Sequence, residues 1–219
     1  MDTQLHELGH AVYDKFIDYK NIPYLLCDAA HTFTTEAIAM MFGRFASNPQ
    51  WIQDNLHISE EEKLNIADAC FSTLRLEQLV SSRRMQVMYR FEKSMYANPD
   101  QDLNTLRRDL VEKYQMMKRP EDRNESDRAS KIHLACYPCY YHNYMLGELL
   151  ASQIYSSIIE QVLHSQDYVF QSFYAKPEVG SYLKEKIFGV GRMYNWNTMI
   201  EKATGEKLTA KYYAKQFVE

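Results

Sequence analysis

The stretch His6-Glu7-Leu8-Gly9-His10 imposes the first structural requirement on this chain. Residues four apart in an α-helix lie on the same face, one turn from each other. His6 and His10 therefore face the same way if the stretch is helical, and two neutral imidazoles so placed can bind one zinc ion. Glu7 projects about 100° away from His6 on that helix. We therefore expect Glu7 to act on a zinc-bound water rather than to bind the metal.

A five-residue match of this kind also arises by chance, and the alternative is a surface helix that happens to carry two histidines. The surrounding segment, residues 3–20, is amphipathic, with Leu5, Leu8 and Val12 on the predicted apolar side. An acid-bearing helix is predicted at a suitable distance after it. Both features favour the zinc site over the chance match.

The whole chain has the composition of a helical protein. It contains only 7 glycines and 6 prolines in 219 residues, and its periodic segments are long. We predict an all-α, multi-helix fold with at most a short extended segment near 132–139, and a charged loop over 118–130. The predicted helices cover residues 3–20, 32–44, 50–55, 60–96, 102–117, 144–163, 165–174, 178–188, 192–203 and 209–218. Thr34 or Thr35 is the expected cap of the second helix, and Ser59 and Glu62 form a capping box at the start of the fourth.

Charge and hydropathy exclude several partner classes. The 25 basic and 29 acidic residues give a net charge of −4 without a basic stripe, so nucleic acid is not expected as a partner. No apolar run approaches the length of a membrane span, so no membrane partner is expected either. No secretory signal is visible, but a preceding segment could carry one, and the compartment stays open.

The four cysteines, Cys27, Cys70, Cys136 and Cys139, are too few for a disulfide scaffold. Cys136 and Cys139 have the spacing of a redox or zinc-knuckle motif. A knuckle needs a second such pair or paired histidines, and a redox motif needs a βαβ context. Neither is visible, so we predict two partly buried thiols.

A zinc ion held by two histidines needs a third protein ligand and an open position for water. Glu36 follows His10 by 26 residues, enough for a connector and a second, antiparallel helix that returns beside the first. His31 is the rival ligand. Glu36 could instead be an ordinary exposed helix carboxylate, but its apolar neighbours Ala37 and Ile38 argue against full exposure.

The same chemistry assigns the supporting roles. A zinc-bound imidazole usually has a carboxylate or carbonyl on its other ring nitrogen, and Asp14 and Asp28 are both candidates. Glu7 would take a proton from the zinc-bound water, whose oxygen attacks a polarised carbonyl, and would deliver that proton to the leaving amine.

A second block runs Lys131-Ile-His133-Leu-Ala-Cys-Tyr-Pro-Cys-Tyr-Tyr141-His-Asn-Tyr144-Met-Leu-Gly-Glu148. Together with the zinc motif and Glu36, it resembles the gluzincin peptidases. Two families share its His...Tyr-x-x-Tyr pattern: the angiotensin-converting enzyme family of peptidyl-dipeptidases (M2), and the thimet oligopeptidase and oligoendopeptidase F family (M3). The spacing from Tyr144 to Glu148 and the ending from Trp196 to Leu208 favour M3, whereas Glu36-Ala37-Ile38 favours M2.

The resemblance implies an activity and roles in it. It implies zinc-dependent hydrolysis of short peptides, by an oligopeptidase or a dipeptidyl carboxypeptidase. His133 and Tyr144 would stabilise the oxyanion of the tetrahedral intermediate, and Tyr141 would bind substrate, with Tyr140 as the alternative register. Lys131 resembles a lysine that binds the substrate's C-terminal carboxylate, although it could equally be the last charge of a solvated loop. The alternative for the tyrosines is a buried helix start whose hydroxyls merely find partners.

Two positions depart from the converting-enzyme pattern. Met40 stands where that pattern has an aspartate four residues after the glutamate ligand, and Asn143 falls where it has a chloride-binding arginine. Chloride activation is therefore not expected.

These peptidases are built as two helical halves around a channel, and the likeness covers only the part from the zinc motif onward. We therefore predict that residues 1–219 are the C-terminal catalytic portion of a larger helical zinc peptidase whose N-terminal half is absent. Apolar surface left by that half could drive self-association. The alternative function is a catalytically inactive helical fragment that acts as a binding or assembly module. A different zinc hydrolase, such as an esterase or a deformylase-like enzyme, fits this long, Tyr-rich chain less well.

Overall fold

The computed structural model describes residues 1–218, and all regular structure in this range is helical, without a strand. The all-α prediction is confirmed, and residues 132–139 form a short helix and turns rather than an extended segment. The helices are α1 Asp2–Lys15, α2 Thr32–Gly43, α3 Pro49–Leu56, α4 Glu60–Ala97, α5 Leu103–Gln115, α6 Ile132–Ala135, α7 His142–Ser157, α8 Pro177–Leu183, α9 Trp196–Thr204 and α10 Lys211–Lys215. Two π-helical turns, Ile158–Val162 and Lys184–Phe188, follow α7 and α8.

Two helix predictions fail for one physical reason. Helix α1 ends at Lys15 rather than near residue 20, and residues 165–174 contain no helix. After α1, the Asp18 carboxylate accepts hydrogen bonds from the backbone N–H groups of Lys20 and Asn21. In the second segment, Asp167 accepts from the backbone N–H groups two and three residues on. Such aspartate turns compete with helical hydrogen bonds for the same backbone donors.

Helix α2 begins at Thr32 as predicted, but its cap differs from the prediction. We expected Thr34 or Thr35, whereas the N-cap residue is His31, whose ring accepts a hydrogen bond from the backbone N–H of Phe33. Thr34 completes the cap, since its hydroxyl donates to the His31 carbonyl at 2.7 Å and accepts from the His31 N–H at 3.2 Å. The predicted Ser59–Glu62 capping box before α4 is confirmed.

The chain divides into two compact units, the first formed by residues 1–75 with those from 146 onward, and the second by Leu76–Met145. The hydrophobic core of the first unit lies among α1, α2, α7, α8 and α9. Its buried side chains include Tyr13, Ile38, Ile154, Ile187 and Ile200. This core fixes the two helices that carry the zinc motif and Glu36.

The second unit contains the later part of α4, helices α5 and α6, and the first residues of α7. The 118–130 segment is largely irregular, as predicted, and Asp127 ties it to α5 through an ion pair with Arg108. On α4, Leu76, Leu79 and Val80 are 62%, 45% and 51% exposed. These three side chains form exposed apolar surface on α4. The surface expected from the missing half, and self-association through it, stay predictions.

Two further observations bear on the exclusions drawn from the sequence. Within residues 1–218, no helix has both the length and the apolar character that crossing a bilayer requires. All four cysteines are free thiols, and Cys136 and Cys139 are exposed rather than partly buried. The expectation for these two was wrong because the turn after α6 carries both side chains to the surface.

We expect Thr34→Val to lower the free energy of unfolding by about 1–3 kcal/mol, because a buried hydroxyl that bonds His31 and Tyr13 is replaced by a methyl group of similar size. The matched control is Thr32→Val at the exposed first residue of the same helix, for which we expect little change. Urea unfolding followed by circular dichroism measures both variants. Equal effects would contradict the role of the cap.

Candidate metal centre

Helices α1 and α2 run antiparallel and touch at Gly9. A Cβ atom on Gly9 would lie 2.6 Å from Cα of Ala39 and 3.0 Å from its nitrogen, so this residue allows the two backbones to meet. The buried positions of α1 are Gly9 and Tyr13. Val12 packs against the core, but Leu8 is 48% exposed, so placing Leu8 on the apolar side was wrong. The contact with α2 decides which face of α1 is buried.

This contact brings the three predicted ligands together. His6, His10 and Glu36 each offer one ligand atom, and the three atoms lie within 4.8 Å of one another. The distance to Oε2 of Glu36 is 3.6 Å from Nε2 of His6 and 3.9 Å from Nε2 of His10. The rival ligand His31 is not in this group, because its ring caps α2.

The Glu36 carboxylate is buried, with its side chain 4% exposed, whereas the two imidazoles are 26% and 28% exposed. The alternative of an ordinary exposed carboxylate is therefore wrong. A buried carboxylate is stabilised by a nearby cation or by several hydrogen bonds. Two imidazole nitrogens and one carboxylate oxygen are a donor set that zinc prefers. The site thus combines a zinc-type donor set with a buried negative charge, and its solvent-facing side is formed by the histidines.

The second ring nitrogen of His10 is held by Thr35. Its Nδ1 atom lies 2.8 Å from Oγ1 of Thr35, the residue immediately before Glu36. When Nδ1 carries the proton and donates it to this hydroxyl, the lone pair of Nε2 faces Glu36. The expected carboxylate partners are wrong for His10, since Asp28 pairs with Arg192 at 2.7 Å and Asp14 is exposed. The signal for Thr35 in the sequence is only its position next to Glu36.

Glu7 lies outside the three-residue group, and its side chain is exposed. This position agrees with the expectation that Glu7 does not bind the metal. Glu7 follows His6 directly on α1.

Helix α7 covers the other side of Glu36. A Cβ atom on Gly147 would lie 3.1 Å from Cβ of Glu36 and 3.2 Å from Sδ of Met40, closer than an ordinary van der Waals contact. Met40, the departure from the converting-enzyme pattern, thus packs against a glycine of α7. Sequence reasoning gave Gly147 no role.

Residues 131–145 of the second block lie in the second unit, where several rings surround His133. Nε2 of His133 lies 3.1 Å from the hydroxyl oxygen of Tyr144. The ring centroids of Tyr140, Tyr141 and Tyr144 are 5.6, 5.0 and 5.9 Å from that of His133. Tyr141 is 6% exposed, whereas Tyr140 and Lys131 are half-buried. The two predicted oxyanion residues are hydrogen-bonded to each other, and their catalytic roles stay predictions.

A cavity of about 570 Å³ in the first unit is a separate feature. Its walls include Arg44, Phe45, Phe71, Tyr155 and Tyr168, and none of the candidate metal ligands lines it. The chemistry of the site is therefore carried by the surface of α1 and α2 rather than by this cavity.

A histidine pair on one helix with a glutamate from the next antiparallel helix defines the gluzincin class of zinc metallopeptidases. The model of one family, described as angiotensin-converting enzyme, matches residues 1–217. The chain belongs to this family (M2) of peptidases. Of the two families that the sequence resembles, the match identifies the first.

Two solved structures share the fold of this chain. The M32 carboxypeptidase from Deinococcus radiodurans R1 is 21% identical, with a TM-score of 0.74, and the match covers 96% of this chain and 46% of that one. The protein called BsuCP is 20% identical, with a TM-score of 0.69 and coverages of 95% and 45%. The chain therefore spans less than half the length of these relatives. No curated protein matches it.

We expect Gly9→Ala to weaken zinc binding by tenfold or more, because overpacking costs about 1–3 kcal/mol and is relieved by moving α1 away from α2. The matched control is Gly180→Ala in α8, where a Cβ atom would meet nothing within 4 Å. Competition with a chromophoric chelator measures the zinc dissociation constant of both. Unchanged affinity in Gly9→Ala would show that the helix contact does not position the ligands.

Proposed function

We propose that this chain hydrolyses peptide bonds in short peptides and that His6, His10 and Glu36 hold its zinc ion. The observation that carries the proposal is the convergence of three ligand atoms within 4.8 Å around a buried carboxylate. When bound there, zinc supplies Lewis-acid chemistry, since it polarises a carbonyl and lets water lose a proton near neutral pH. Membership of a peptidase family supports the substrate class.

In this proposal Glu7 is the general base. Its exposed carboxylate takes a proton from water as the water oxygen bonds to the peptide carbonyl carbon. The same carboxylic acid then gives the proton to the leaving amine as the C–N bond breaks. The step needs no further acid or base from the chain.

His133 and Tyr144 are proposed to stabilise the negative charge on the carbonyl oxygen. The support is their resemblance to the family's block and their mutual hydrogen bond, which fixes the direction of both side chains. Tyr141 and Lys131 are proposed to bind the substrate, Tyr141 along its backbone and Lys131 at a C-terminal carboxylate. A functional Lys131 favours a dipeptidyl carboxypeptidase over an oligopeptidase.

The proposal predicts that Glu7→Gln keeps one zinc ion per chain but loses about 100- to 10,000-fold in peptidase activity, because the amide cannot accept the proton. The control is Asp14→Asn, which neutralises an exposed carboxylate on the same helix and should leave both properties unchanged. Zinc content is measured by atomic emission and activity with an internally quenched short peptide.

Activity that survives Glu7→Gln would remove the proposed base. An intact unmodified chain that holds no stoichiometric zinc, even after reconstitution, would favour the binding or assembly module. The same peptide with a free and an amidated C-terminus distinguishes the two modes. A preference for the free carboxylate indicates dipeptidyl carboxypeptidase action.

We expect Tyr144→Phe to lower kcat by about 100- to 1000-fold, with little change in zinc affinity, because one hydrogen-bond donor to the developing oxyanion is lost. Tyr137→Phe removes a hydroxyl from an exposed ring in the same cluster and serves as the control. Steady-state kinetics separate kcat from KM. An effect confined to KM would assign Tyr144 to substrate binding instead.

A further inference from the structure

Helix α7 lies close to α2 at Gly147, beside the candidate ligand Glu36. The missing side chain of Gly147 makes room for Cβ of Glu36, and a Cβ at that position would also lie 3.4 Å from the backbone nitrogen of Ala37. A Cβ atom at residue 147 would therefore require Glu36 or Met40 to move by a few tenths of an ångström. A slip of α7 along α2 would replace Gly147 at this contact by a residue that carries a Cβ atom, which would press against Glu36.

Arg44 fixes α7 against such a slip. Arg44 follows Glu36 by eight residues, about two helical turns further on, and is the C-cap residue of α2. Its Nη2 atom forms an ion pair with the Glu148 carboxylate and also donates to the Glu148 carbonyl oxygen at 3.2 Å. Both Nη1 and Nη2 lie 3.1 Å from Oγ of Ser152. One guanidinium thus contacts two successive turns of α7, beginning at the residue after Gly147.

The pair is shielded from solvent, since the side chains of Arg44 and Glu148 are only 14% and 13% exposed. A shielded ion pair adds little net stability, because desolvation of both charges offsets their attraction. Its clearer effect is on geometry, since the planar fork of an arginine accepts few arrangements of its partners. A lysine provides a single point charge and no such fork.

We infer that Arg44 is a positioning residue for the metal centre. By holding Glu148 and Ser152, it keeps Gly147 over Glu36, and the Glu36 carboxylate stays directed at His6 and His10. The inference rests on the proposed function only in taking these three residues as the zinc ligands. Arg44 itself is not among the candidate ligand residues.

The test compares zinc dissociation constants, measured by chelator competition, for the unmodified chain, Arg44→Lys, Arg44→Met and the double variant Arg44→Met with Glu148→Met. We expect zinc affinity to fall by about 10- to 100-fold in Arg44→Met, as for the loss of other outer-shell partners. Arg44→Lys should recover part of it. In the double variant, thermal stability should return towards that of the unmodified chain because no unpaired charge is left, while zinc affinity stays low.

The control is Arg192→Met, which breaks another arginine–carboxylate pair of the same unit, with Asp28, whose side chains are 47% and 57% exposed. Zinc affinity should be unchanged in this variant. Cobalt substitution adds a second readout, because its visible spectrum reports ligand geometry. We expect the Arg44→Met spectrum to change and the Arg192→Met spectrum to match the unmodified chain.

If zinc affinity and the cobalt spectrum change in parallel with thermal stability across the variants, and both recover in the double variant, the inference is overturned. Arg44 is then a structural residue only. If Arg44→Met does not fold, Arg44→Lys and the double variant give the same decision. Failure of the unmodified chain to bind zinc would overturn the proposed function and this inference together. Zinc binding without peptide hydrolysis would contradict only the proposed function.

Discussion

The direct backbone contact between α1 and α2 at Gly9 is the constraint on which the metal centre depends. His6 and His10 on one helix and Glu36 on the other converge because no side chain of α1 separates the two helix backbones at Gly9. The connector between the helices supplies the reversal of direction, and the His31–Thr34 cap defines where α2 begins. A side chain at position 9 would therefore change the relative positions of all three candidate ligands, although Gly9 has no functional group of its own.

The burial of Glu36 shapes the rest of the first unit. A carboxylate at 4% exposure raises the free energy of the folded chain unless positive charge or donors are near, so metal binding and folding stability are thermodynamically linked here. Gly147 allows helix α7 to pack directly against Glu36, and the Arg44–Glu148 ion pair holds α7 in that position. Glu36, helix α7 and the Arg44–Glu148 pair therefore depend on one another. For this reason we expect substitutions remote from the donor atoms to alter the metal centre.

Sequence reasoning succeeded where helix geometry and chain length decide the outcome. The turn spacing of His6 and His10, and the separation of 26 positions from His10 to Glu36, predict the three-residue group that the structure contains. It failed where a side chain competes with the backbone, as at Asp18 and Asp167, which end or prevent helices. The partner of His10 was also missed, because the choice of Thr35 depends on how α2 is rotated about its axis, and no spacing rule encodes that angle.

The hydroxyl partner of His10 has an electronic consequence. A carboxylate on an imidazole's outer nitrogen increases the electron donation of its inner nitrogen, whereas a neutral hydroxyl does so weakly. At His10 the outer partner is Thr35, and the neighbouring position 40 is a methionine. If His6, His10 and Glu36 hold a divalent ion, the Glu36 carboxylate is the one negative charge among these three side chains, and Thr35 adds none. Zinc held there would then keep much of its power to polarise a carbonyl.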